Sequence, residues 1–196
     1  MRRPLAKRAR RALAGAALAC VSGCTAPLLA PPAPLAARAV APAFELEGRL
    51  SATDGARAAS GRLAWTHAPG TDEWTVFNPL GQIAAQLVST PRGAQLTTAD
   101  GRRVEARDMD ALLPQLVGVP VPVDGLSHWV QGAARAGARV LALDGAGRPV
   151  RISDDGWLID YQEYADATPA SAPRRIDAQW GDARLRLVID HWAPLP

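Results

Sequence analysis

The chain has 196 residues, of which 48% are hydrophobic and 21% charged, and it carries two cysteines. Six of its 22 basic residues (Arg2, Arg3, Lys7, Arg8, Arg10 and Arg11) lie in the first 23 positions, where there is no acid, so the remaining 173 residues hold 16 basic against 19 acidic ones and the formal net charge moves from +3 to −3. The length fits one domain with a core of its own, and the body of the chain lacks the basic excess that a nucleic-acid partner would require.

The basic opening runs into an apolar stretch over residues 12–21 and then Ser22-Gly23-Cys24. That stretch is too short to span a bilayer, which takes about 20 apolar residues. Basic, apolar and small-residue regions in this order make a secretory signal peptide. A cysteine directly after the site resembles the bacterial lipoprotein signal, which implies removal of residues 1–23 and lipid on the Cys24 thiol and new amino terminus. The competing reading is a plain secreted protein whose Cys24 is incidental. Cys20 leaves with the signal, so with Cys24 acylated no thiol remains for a disulfide or a metal.

Residues 24–43 are rich in proline and alanine, with Pro27, Pro31, Pro32, Pro34 and Pro42. Proline fixes φ and lacks a backbone donor, so this stretch is expected to be an extended tether of roughly 3 Å per residue and disfavours a helix before the first strand. The folded domain is expected over residues 44–196.

From Phe44 the apolar residues recur with a period of two: Leu46, Leu50 and Ala52; Leu63 and Trp65; Trp74 and Val76; Ile83, Ala85 and Leu87. Turn chemistry at Asp54-Gly55, Pro69-Gly70, Asn78-Pro79-Leu80-Gly81, Arg92-Gly93 and Asp100-Gly101 separates the runs, as in a meander of a barrel or sandwich. A helical insert follows. Asp108 is placed to cap a short helix carrying Met109, Leu112, Leu113 and Leu116 on one face, shortened or bent by Pro114 and ended by Gly118. A second helix is expected from Asp124, with Leu126, Trp129 and Val130 inward, to about Gly132. Strand patterning then resumes with Val140 and Ala142, Val150 and Ile152, Trp157, Ile159 and Tyr161, and finally Leu185, Leu187 and Ile189.

Catalytic chemistry needs converging titratable groups, and the pattern offers none. His67 is expected to be solvated before the Pro69-Gly70 turn and His128 to sit on a helix surface. Asp190 and His191 are adjacent in a strand, where neighbours point to opposite faces. Asp54, Asp100, Asp144, Asp154 and Asp155 lie beside glycines in turns, where Asp bonds its local backbone. The Asp144-Gly145-Ala146-Gly147 run lacks the wider spacing of a calcium loop. No catalytic residue, metal or cofactor is expected.

Six tryptophans carry most of the aromatic area. Each either packs the core or lines a pocket, since a curved sheet covered by short helices encloses apolar wall suited to a long hydrophobic ligand. Trp65, Trp74, Leu112, Leu116, Trp129 and Trp157 are the cavity candidates. Leu80 is unusual as an apolar residue in a tight turn. It either tucks back over the sheet edge or points outward, where burial of one leucine in lipid is worth about 1.5–3 kcal/mol.

Gly48-Arg49-Leu50-Ser51, Gly61-Arg62-Leu63-Ala64-Trp65, Asn78-Pro79-Leu80-Gly81 and Gly118-Val119-Pro120-Val121-Pro122, followed by Leu126, Trp129 and Gly132, resemble the LolB family of outer-membrane lipoproteins. Gly147-Arg148-Pro149, Gly156-Trp157 with Tyr161 and Tyr164, and Leu185-Arg186-Leu187 with Asp190 and Trp192 continue the likeness. The resemblance implies an unclosed antiparallel β-barrel covered by a short helical lid over an apolar cavity. It further implies a monomer on the outer membrane, facing the periplasm, that accepts acylated lipoproteins from a LolA-type carrier. The acyl chains occupy the cavity, and Leu80 serves membrane insertion. Thr25 after Cys24 agrees with outer-membrane sorting. The alternatives are an envelope lipoprotein that carries a free lipid or acts as a scaffold and, less well supported, an envelope hydrolase.

Overall fold

The computed structural model describes Leu35 and residues 38–196. The signal segment, Cys24 and most of the expected tether lie outside the described residues. Eleven strands form one antiparallel sheet: β1 (Phe44–Thr53), β2 (Ala58–Ala68), β3 (Thr71–Phe77), β4 (Ile83–Thr90), β5 (Gly93–Thr98), β6 (Arg103–Ala106), β7 (Arg139–Leu143), β8 (Pro149–Asp154), β9 (Trp157–Tyr164), β10 (Pro173–Trp180) and β11 (Ala183–Pro194). Their spatial order is β6-β5-β4-β3-β2-β1-β11-β10-β9-β8-β7. β6 and β7 are the two edges and do not pair, so the sheet is open.

Alternation sets the two faces. In β1, Phe44, Leu46, Gly48, Leu50 and Ala52 are buried while Glu45, Glu47, Arg49 and Ser51 are exposed. Leu63 and Trp65 of β2, Trp74 of β3, Leu87 of β4 and Leu185, Leu187 and Ile189 of β11 continue one inner face. The register departs from simple alternation once on β11, where Glu47 pairs with His191 but Gly48 with Ile189. Asp190 is the extra residue of this bulge. Asp190 and His191 are therefore both exposed, not on opposite faces as alternation predicts. At the β7 edge, register shifts on both sides of Ala142 leave Ala142 and Leu141 exposed, and Val150 of β8 also faces out.

The insert between β6 and β7 has to cross from one edge of the sheet to the other, and it does so over the inner face. α1 (Leu113–Val117) packs against β1 and β2, and α2 (Val123–Trp129) follows it. Pro114 sits in the first turn of α1, where its missing N–H costs nothing, so it fits the start of the helix and does not kink it. Gly118 ends α1 in the left-handed region at φ 79°, its N–H donating to the Pro114 carbonyl. The Asp108 carboxylate accepts the Ala111 N–H at 3.0 Å, in the approach to α1. Asp110 instead accepts the Val123 N–H at 2.9 Å and so joins the approach of α1 to the start of α2. Met109, Leu112, Leu113, Val117, Leu126, Trp129 and Val130 share one core with the strands.

Packing reaches back into the segment expected to be a tether. Arg38 donates to the carbonyls of Gln131, Pro169 and Ser171 at 2.8–3.0 Å, and the Gln131 amide bonds both backbone groups of Ala41.

Candidate functional site

Side-chain size grades along the strands. At the end where β1 begins, the inner face holds Phe44, Trp65, Trp74 and Trp192; level with Gly48 in mid-strand it holds Leu63, Val76 and Ala85; and at the end where β1 finishes, Ala52, Ala59 and Gly61 stand beside Leu50 and Leu185. The register fixes these levels: Trp65 faces Leu46 and Trp74, whereas Gly61 faces Leu50 and Ala59 faces Ala52.

Aromatic rings fill the first end. Phe44 meets Trp65 edge-on at 4.9 Å, and Trp65 meets Trp74 at 5.1 Å. Asp72 accepts the Trp65 Nε1–H at 2.8 Å and lies 2.8 Å from His67 Nδ1. His67 is thus mostly covered, its ring 4.9 Å from that of Phe44 and tilted by 30°, and not solvated as expected, because β2 extends to Ala68 and its alternation carries His67 to the inner face.

The second end is left partly unfilled. A cavity of about 230 Å³ lies between α1 and strands β1 to β5, walled by Leu50, Ala52, Leu63, Val76, Ala85, Leu116 and Val117 among others. Gly61 is required there by a close approach: a Cβ on it would stand 2.7 Å from the Phe77 carbonyl oxygen. Of the six cavity candidates only Leu116 is in this wall. Trp65, Trp74, Leu112 and Trp129 pack the core at no more than 1% exposure. Trp157 stacks on half-exposed Trp180 at 6.3 Å beside a separate groove with Pro120 and Pro122. The alternation of the strands carried the signal for the other wall residues, and the gradient from large to small residues marks the end that stays open.

Leu80 lies at that same end. Phe77 pairs with Arg62, next to Gly61, and the chain then turns through Asn78-Pro79-Leu80-Gly81. The Asn78 side-chain oxygen accepts the N–H groups of Leu80 and Gln82 at 2.9 and 3.0 Å, and Gly81 takes φ 79°. With the turn's polar needs met by Asn78, Leu80 points outward at 84% exposure, and Ile83 beyond it is 48% exposed.

The titratable groups are dispersed. His128 Nδ1 lies 3.0 Å from the Asp124 carbonyl, and His191 lies 3.5 Å from Glu45, while Asp190 pairs with Arg49. Asp144 bonds the N–H groups of Ala146 and Arg148, as its turn position predicts. Burial raises its carboxyl pKa, but these bonds and the Arg148 guanidinium outweigh that and hold it below the ordinary value. Burial pushes the Tyr164 phenol up to about 12. Its hydroxyl donates to the Pro149 carbonyl at 2.6 Å. Asp154 departs from its expected role in an exposed turn: it is 3% exposed and is gripped by Trp129 and Arg135. The following Asp155-Gly156 pair makes the hairpin turn with both φ positive.

The family model for Outer membrane lipoprotein LolB matches residues 42–192, almost the whole described domain. The chain belongs to the LolB family. It is 50% identical over 188 residues to the Outer-membrane lipoprotein LolB of Azoarcus sp. (strain BH72), covering 94% of this chain and 96% of that one. It is 34% identical over 182 residues to the same-named protein of Dechloromonas aromatica (strain RCB), with 90% and 93% covered. Among solved structures, the LolA superfamily protein NE2245 from Nitrosomonas europaea superposes with a TM-score of 0.49 at 10% identity, covering 81% of this chain and 90% of that one.

Proposed function

We propose that this LolB-family chain is a lipid-anchored acceptor on the periplasmic side of the outer membrane, taking acylated lipoproteins from a LolA-type carrier and releasing them into the membrane. The observation that carries this reading is the coincidence, at one end of the sheet, of an apolar cavity under α1 and the outward Leu80 turn. The cavity receives acyl chains and the turn meets the bilayer into which they are released. Burial is worth about 0.8 kcal/mol per CH₂, so acyl chains pass between apolar surfaces and not through free water. Energy for the transfer comes from a rising order of affinity: carrier, this cavity, bilayer.

At about 230 Å³ the cavity is smaller than the 300–1,000 Å³ usual for ligand sites. Loading therefore requires α1 to lift. The helix suits this: it is five residues long, has no side-chain hydrogen bond at its N-cap and holds the sheet through Leu113 and Val117. Incubating the purified mature protein with a loaded carrier tests the proposal. Lipoprotein should leave the carrier and copurify with this chain. Retention on the carrier, with free phospholipid bound instead, would support a carrier of free lipid.

A further inference from the structure

The convex face behind the Leu80 tip carries three arginines. Arg49 and Arg62 lie directly opposite each other across β1 and β2, and Arg186 lies opposite Ser51 on β11. With Asn78, Pro79 and Val188 they line a groove of about 390 Å³. Arg49 reaches Asp190 at 3.0 Å and Arg186 reaches Asp177 at 2.5 Å. Arg62 has no carboxylate at ion-pair distance among the described residues. Its guanidinium instead lies 5.7 Å over the ring of Phe77, the residue just before the turn.

Like charges directly opposed across a strand pair destabilise a sheet, and a bound anion removes that cost. The groove is open, so a single dissolved anion would be held weakly against screening. A membrane surface supplies anions at fixed density together with an apolar phase for exposed Leu80 and Ile83. An apolar tip with cations at its base is how interfacial segments hold anionic bilayers.

We infer that Arg62, with Arg49 beside it, takes the phosphate of an anionic phospholipid headgroup when the Leu80 turn enters the bilayer surface. This rests on the reading of Leu80 as a membrane contact. The test uses the mature chain with Cys24→Ser, which has no lipid anchor, floated with vesicles of phosphatidylethanolamine and phosphatidylglycerol. Arg62→Gln should lower partitioning about fivefold, the share of one cation near an anionic surface. Arg62→Lys should retain most of it, and Arg139→Gln, the same charge change on edge strand β7, should alter nothing. Inorganic phosphate should compete no better than chloride at equal ionic strength. Unchanged partitioning of Arg62→Gln, with loss on Leu80→Glu, would overturn the inference and leave the role of Leu80 standing. Leu80→Glu partitioning like its parent, or a parent that binds no vesicles, would overturn both.

Discussion

The indole Nε1 of Trp129 donates to Oδ2 of Asp154 at 2.8 Å, with both side chains buried and 25 positions apart in sequence. Arg135 Nε reaches both oxygens of the same carboxylate, at 3.0 and 2.9 Å. α2 is thereby tied to the β8–β9 hairpin. Asp154→Ala leaves an indole N–H and a guanidinium without their acceptor and should cost about 3 kcal/mol in urea unfolding. Asp124→Ala removes only a 74%-exposed partner of Arg135 and should change stability by less than about 0.5 kcal/mol.

Leu80→Glu separates the two readings of the turn. Because Leu80 touches little of its own domain, its stability should stay within about 0.5 kcal/mol of the parent. Receipt from a loaded carrier should persist, and delivery of lipoprotein into vesicles should fall.

Ala85→Leu tests the cavity from within. Ala85 is 3% exposed and stands in the cavity wall, so three added carbons enter empty space and the fold should hold. Binding of a fluorescent acyl-chain probe should be lost. Leu116→Ala, which widens the same space, should keep it.

Acid should weaken the β7–β8 hairpin through Asp144. Its carboxyl pKa is held below the ordinary value of 3.8, so its stabilisation is in place above that value and disappears as pH falls through the folded-state pKa. Asp144→Asn should be less stable than the parent at neutral pH. The gap measured by urea unfolding should narrow as pH falls below 3.8 and close once the folded-state carboxyl is protonated.

Much of this arrangement could be read from residue order. The period of two placed Leu50, Ala52, Leu63, Val76 and Ala85 on one face, and the two short helices do fall between the two groups of strands, with α1 against β1 and β2. Three things were not legible. The bulge at Asp190 is a property of a strand pair, visible only once Glu47 is matched to His191. Burial of Asp154 is hidden because an Asp before Asp-Gly carries the same local signal whether its carboxylate faces water or Arg135. Core packing is the commoner expectation for any one tryptophan, yet four stand among the cavity candidates, and only the register showed that Trp65 and Trp74 crowd one end while alanines and a glycine leave room at the other.

In the proposed function, acyl chains are received on the inner face beneath α1. A lipoprotein bearing a photoactivatable group at the end of an acyl chain, delivered from a loaded LolA-type carrier and irradiated on this chain, tests it directly. Crosslinks are expected at Leu63, Leu116 and Val117. Crosslinks confined to exposed convex-face residues such as Arg49 and Arg62, or none while lipoprotein still reaches the membrane, would contradict it.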